Sequence, residues 1–225
     1  MFIGHFGVAL AAKQLTPRAS LGTAILATCL LDAIWPLLVI AGVERLEIRP
    51  GITLMNPLEF VHYPWSHSLL MALLWGSLFA GAYWLVRRDA RSAAWLGLIV
   101  VSHWVLDWVV HRPDLPLYPG DERLHGLGLW NSMPATLFLE FALFGAGVYL
   151  YMSSTRPRDR TGTIAFWALV AVLLASYLAA TFGPPPPSAK VVAYSAFIGY
   201  LMVAWGWWID RHREPVDPLA KPGVE

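Results

Sequence analysis

The sequence predicts an all-α fold, a polytopic transmembrane helical bundle of about six or seven helices. Hydrophobic residues fill 57% of the 225 positions and charged residues only 14%, against roughly 25% charged in an ordinary soluble domain. The mean hydropathy is +0.53. The apolar residues also gather into runs close to the about 20 residues that a helix needs to cross a bilayer core. The same numbers exclude a disordered chain, and a net charge of +1 argues against nucleic acid as a partner. Cys29 is the only cysteine, so neither an internal disulfide nor a CxxC site can form.

Taken in order, residues 1–12 form a short apolar segment ending at Lys13. It lacks a basic leader, which argues against a cleaved signal peptide, and reads as a short helix in or partly in the membrane. Full spans follow at 19–43, 66–86, 92–110, 129–152, 161–182 and 191–209. Pro36 is placed to kink the first of these and free backbone carbonyls near Asp32. Pro64 sets an extended turn before the next, with Ser66 as its expected N-cap. The proline run 184–187 makes a stiff interhelical turn. We expect one transmembrane domain over 1–210, with a site-bearing part at 1–152, two plain spans at 161–209, and a polar, unstructured tail at 211–225.

Orientation follows from Lys and Arg, which favour the cytoplasmic side. If Met1 is outside, the inside segments carry Lys13, Arg18, Arg87, Arg88, Arg91, Arg156, Arg158, Arg160, Arg211, Arg213 and Lys221, against Arg45, Arg49, Arg112, Arg123 and Lys190 outside. This predicts a multi-pass membrane protein with a cytoplasmic C-terminus.

The last two spans contain no Asp, Glu, Lys, Arg or His, whereas the earlier segments hold His5, Asp32, His67, His103, Asp107 and Glu140 with no Lys or Arg among them. Each charged group at mid-membrane costs roughly 2.5–3.5 kcal/mol on insertion scales. Carboxylates without basic partners must be protonated, hydrated or bound to cations, and nearby imidazoles favour a metal cation. On this topology all six residues fall in the outer half of the bilayer. His103 and Asp107 share a helix face at i and i+4, and His111 extends it, giving an H-x-x-x-D-x-x-x-H stripe of nitrogen and oxygen donors. A polar seam that only fixes helix packing is the bland alternative. His62 and Asp114 read as loop and turn residues.

At these residues the sequence resembles the membrane-bound metal-dependent hydrolases of the bacterial inner membrane (YdjM-like), themselves distantly similar to zinc-dependent phospholipase C. The matching pieces are Gly4-His5, Leu30-Leu31-Asp32, the segment from His62 to His67-Ser68, and His103 with Asp107, in the family's order over about residues 1–150. Ile34 stands where the family often has a second acid, Tyr63-Pro64 replaces its Arg-Gly, and Thr136 stands one turn before Glu140 where phospholipase-like sites have histidine. The resemblance therefore implies one or two metal ions rather than three.

The expectation is a hydrolase acting in the outer half of the bilayer on a phosphoester or lipid-like substrate. Its metal ligands would be His5, Asp32, His67, His103, Asp107 and His111, with Asp32 or Glu140 as general base. Zinc is the first choice of divalent metal, as one or two ions; manganese or iron comes next. Membrane lipids and a small-molecule or lipid substrate are the expected partners. The rival readings are an ion- or proton-coupled transporter or channel subunit using the same cluster, and a bis-histidine haem protein, which the carboxylates fit poorly.

Overall fold

The computed structural model describes residues 1–216; the end of the predicted tail, 217–225, lies outside them. Helix α1 (Ile3–Leu15) is followed by α2 (Leu21–Thr28) and α3 (Leu30–Ile40). Strands β1 (Arg45–Ile48) and β2 (Leu58–His62) then form an antiparallel hairpin. Next come the single turn α4 (Pro64–His67), the long helices α5 (Leu69–Arg87) and α6 (Ala90–Val110), and a small pair of strands, β3 (Leu115–Pro116) and β4 (Leu124–His125). The chain continues through α7 (Met133–Ser154), β5 (Thr155–Pro157), α8 (Arg160–Phe182), α9 (Ala189–Ala196), α10 (Ile198–Arg211) and β6 (Arg213–Pro215).

Among the described residues, five helices are long and apolar enough to cross a membrane, with α9 and α10 taken as one, and a sixth span results if the bent pair α2–α3 is counted. The 13 residues of α1 reach only about 20 Å at 1.5 Å per residue, short of the roughly 30 Å hydrocarbon core.

Several boundaries differ from the sequence expectation. The bend in the second segment, 55°, falls at Cys29 and not at Pro36, which lies inside α3. Thr28 turns its hydroxyl back onto the Ala24 carbonyl at 2.9 Å, and its own carbonyl is taken by His103 Nδ1 at 2.7 Å. A side chain entering the helical ladder is a recognised cause of such a break. The N-cap of α5 is Ser68, not Ser66: Ser68 has extended dihedrals and its side chain accepts from Met71 N. The tail is ordered through residue 215, because β6 pairs with β5 and the Arg213 guanidinium bonds Thr155 between the rings of Tyr151 and Phe166.

Close glycine contacts hold three helix pairs together. Gly7 of α1 meets Gly147 of α7, Gly76 of α5 meets Gly97 of α6, and Gly22 of α2 meets Gly206 of α10. In each pair an added Cβ would press on the partner's backbone. In lipid, where apolar surface supplies little attraction between helices, such close approach is a main source of association. The α1–α7 contact matters most here, since α1 carries His5. Gly147→Val is expected to destabilise the protein by about 1–3 kcal/mol, as overpacking does, read as an earlier thermal midpoint in detergent. Gly145→Val, whose added Cβ meets nothing within 4 Å, is expected to leave the midpoint in place; equal shifts for the two would disprove the contact.

Candidate metal centre

His5 sits in the first turn of α1, and that helix end is fixed from outside. Glu140 of α7 accepts Phe2 N at 2.8 Å and Gly4 N at 2.7 Å, one on each carboxylate oxygen. It thus caps the unsatisfied N–H groups of a helix start. Holding one backbone N–H on each oxygen, Glu140 fixes the start of α1 and with it His5.

Asp32 occupies the first turn of α3, just past the break, and its side chain is 48% exposed. His67 closes α4. His103 and Asp107 lie on one face of α6, and His111 is the C-cap of that helix. All six predicted ligands come together around Asp107. Its Oδ1 lies 3.0 Å from His5 Nε2; its Oδ2 lies 3.1 Å from His103 Nε2 and 3.9 Å from both His67 Nε2 and His111 Nε2. Asp32 faces the same space, with Oδ1 3.4 Å from His67 Nε2 and Oδ2 3.7 Å from His103 Nε2. The rings of His5 and His103 stack in parallel, 3.8 Å apart. The Met1 amino group also donates to Asp107 Oδ1, at 2.6 Å.

Two groups could each hold an ion: His5, His103 and Asp107, and Asp32, His67 and His103. Within each group the candidate ligand atoms lie within 4.8 Å of one another. They share His103.

The opposite nitrogen of three of these imidazoles is anchored. His103 Nδ1 donates to the Thr28 carbonyl at 2.7 Å. His67 Nδ1 lies 2.7 Å from Ser66 Oγ, and that hydroxyl donates its one proton to Glu44 Oε2, also at 2.7 Å. Ser66 must then accept from His67 Nδ1–H. His111 Nδ1 donates to Asp114 Oδ1 at 3.0 Å, an oxygen that also accepts from the Tyr63 hydroxyl at 2.8 Å. Burial and the Asp114 carboxyl push the Tyr63 phenol well up, so it remains a donor. Each anchor leaves the Nε2 lone pair free and directed at the carboxylates, as partner groups do for ligating histidines.

For His67, His103 and His111 the result is acceptors facing acceptors, whereas Asp107 Oδ1 is met by the Met1 amino group and by His5 Nε2. Among the described residues, His103 Nε2 is buried with no hydrogen-bond partner. Unpaired buried polar atoms of this kind are costly, and a bound cation would satisfy both the lone pairs and the carboxylates. The residues present therefore fit a divalent metal.

Three parts of this arrangement go beyond the sequence reading. Glu44, buried in the turn before β1, accepts both Trp65 N and Ser66 N at 2.9 Å as well as the Ser66 hydroxyl. Asp114 supports His111 and is more than a turn former. The β1–β2 hairpin covers the centre, with Phe60 stacked among Trp35, Tyr63, His111 and Trp130 and Glu59 tied to Arg112 at 3.2 Å. Its alternating polar and apolar residues, Arg45-Leu46-Glu47-Ile48, are a strand signal. His62 is exposed and pairs with Arg45 in the hairpin, so of the two motif histidines only His67 reaches the cluster.

A cleft of about 630 Å³ opens from the cluster, lined at one end by His5, Asp32, His67, Asp107 and His111 and further on by α8, α9 and α10.

The family model described as YdjM inner membrane protein matches residues 1–184. No curated protein and no solved structure matches the chain.

Proposed function

This chain belongs to the YdjM inner membrane protein family, and we propose that it is a multi-pass membrane hydrolase that uses a divalent metal, zinc first, held by the His/Asp cluster. The observation that carries this reading is the convergence of three Nε2 atoms, on His67, His103 and His111, each with its Nδ1 held by a partner, onto Asp107 and Asp32. A packing seam has no need of such an arrangement, because either tautomer could donate.

His5, His103 and Asp107 would hold one ion; Asp32 and His67 would face a second, or would hold a single ion with His103 instead, because the one free lone pair of His103, on Nε2, serves one ion at a time. His111 would complete the Asp107 side. Such an ion supplies Lewis-acid polarisation of a phosphoryl or carbonyl oxygen and activates water near neutral pH. Asp32 is the half-exposed carboxylate of the set and so the group free to take a proton from water. Glu140 acts through α1 and His5, as a positioning residue. The Phe60, Trp130 and Trp35 rings keep bulk water from the His111 side. The Lys and Arg distribution supports a cytoplasmic C-terminus with the cluster in the outer half of the bilayer.

Two measurements test this. Detergent-purified protein is expected to retain at least about one zinc per chain by mass spectrometry, within the one or two ions the ligand set allows. Hydrolysis of p-nitrophenyl phosphate or bis(p-nitrophenyl) phosphate is expected to disappear with a chelator and return with zinc or manganese. Protein that takes up no metal and cleaves neither ester would overturn the proposal; cation flux in proteoliposomes without hydrolysis would replace it with transport.

A further inference from the structure

The cleft is sharply divided. Its ionisable lining residues, His5, Asp32, His67, Asp107, His111 and Glu140, lie at the cluster end. The remaining wall is made largely by α8 and α9–α10, whose stretches 161–182 and 191–209 hold no Asp, Glu, Lys, Arg or His, through side chains such as Val172, Leu173, Val192 and Ile198. Ile198 lines the cleft and is 55% exposed on an apolar helix long enough, with α9, to cross a membrane, so the arm opens at the side of the bundle. Two donors in the wall, Trp35 Nε1 and the Tyr177 hydroxyl, are buried without partners.

Resting on the hydrolase reading, we propose that this arm is the chain-binding subsite for a single-chain phosphate amphiphile. The phosphate lies at the His/Asp cluster and the hydrocarbon tail runs along α8 and α9–α10. Charge complementarity sets the direction: an anionic head satisfies the metal-bearing end, and nothing along the arm could neutralise a second charged group. Size sets the tail number. The whole cleft, cluster end included, measures about 630 Å³, within the range of about 300–1,000 Å³ that takes one small ligand, which favours one chain over two. Lateral opening lets the substrate enter from the membrane without leaving it. The phosphoester bond then lies at the junction of the two compartments, and hydrolysis adds water across it, releasing inorganic phosphate and the long-chain alcohol.

The test uses full-length protein in nanodiscs and a hexadecyl phosphate carrying a diazirine near the tail end. Photolabelling is expected to concentrate on α8, α9 and α10 and to be displaced by unlabelled hexadecyl phosphate but not by phenyl phosphate. Ala196→Trp and Ser176→Trp place bulk in the arm at half-buried or exposed positions. Each is expected to cut labelling about tenfold, within the range for lost apolar contact, while zinc content and cleavage of p-nitrophenyl phosphate stay at the wild-type level. Labelling spread evenly over lipid-facing α5, or equal displacement by a two-chain phosphatidic acid, would overturn the subsite. Specific labelling with no metal-dependent hydrolysis of any ester would instead leave the subsite standing and overturn the hydrolase.

Discussion

Asp107→Asn is expected to abolish stoichiometric zinc binding while leaving the metal-free protein folded and inserted. Asp107 is the one side chain that approaches all four imidazoles, its Oδ1 toward His5 and its Oδ2 toward His67, His103 and His111. The loss should exceed the 10–100-fold that follows removal of an outer partner of a metal ligand, because here the carboxylate itself is shared. Asparagine keeps the shape and brings an NH2 that can donate to the bare His103 Nε2. The metal-free variant should therefore unfold at or above the temperature of chelator-treated wild type. Zinc should raise the wild-type midpoint and not that of the variant, since a ligand present at 100 times its Kd adds about 2.7 kcal/mol to the folded state. A purely structural cluster makes the opposite forecast: the variant would lose stability regardless of zinc, as when one partner of a buried ion pair is removed, at about 3–5 kcal/mol. Thermal unfolding of both proteins with zinc and with chelator separates the two.

Much of the site could be read before the fold was known, for a physical reason. In a membrane, each ionisable residue inside an apolar span stands out against its background, so His5, Asp32, His67, His103, Asp107 and Glu140 are conspicuous one by one. The spacing of His103, Asp107 and His111 also fixes their common face without tertiary information. What escaped reading lies where that contrast fades. Glu44 is in a polar turn among exposed charges, and only the fold brings it under Ser66. The Thr28 carbonyl is a backbone group with no signature of its own. The contact between Glu140 and the start of α1 depends on Gly4, whose lack of a side chain lets the carboxylate approach its N–H, and no spacing in the sequence announces it. Proline is the visible helix breaker and predicts the bend at Pro36; the break instead falls beside Thr28, whose carbonyl is taken by a histidine 75 residues away in the chain.

Glu44→Gln is expected to weaken zinc binding 10–100-fold, the range for an outer partner, although the new side chain is nearly isosteric. Glu44 Oε1 accepts two backbone N–H groups, from Trp65 and Ser66, and Oε2 accepts the Ser66 hydroxyl. Glutamine must keep its carbonyl oxygen toward the two N–H groups, since its NH2 there would set donors against donors. The NH2 then points at Ser66 Oγ and donates to it. The Ser66 proton, displaced from position 44, turns to His67 Nδ1, 2.7 Å away. His67 is thereby driven to the tautomer with its proton on Nε2, and the lone pair facing Asp32 is lost. Ser66→Ala removes the relay altogether, leaving both tautomers accessible, and should weaken zinc binding less than Glu44→Gln does. The double variant should match Ser66→Ala alone, so removing the hydroxyl rescues the glutamine. Zinc competition titrations on the four proteins would reveal this non-additivity, and nitrogen-15 shifts of the His67 ring would report the tautomer. Additive losses, or a Glu44→Gln protein with wild-type affinity, would mean that Glu44 only caps α4 and has no say in how His67 presents its nitrogen.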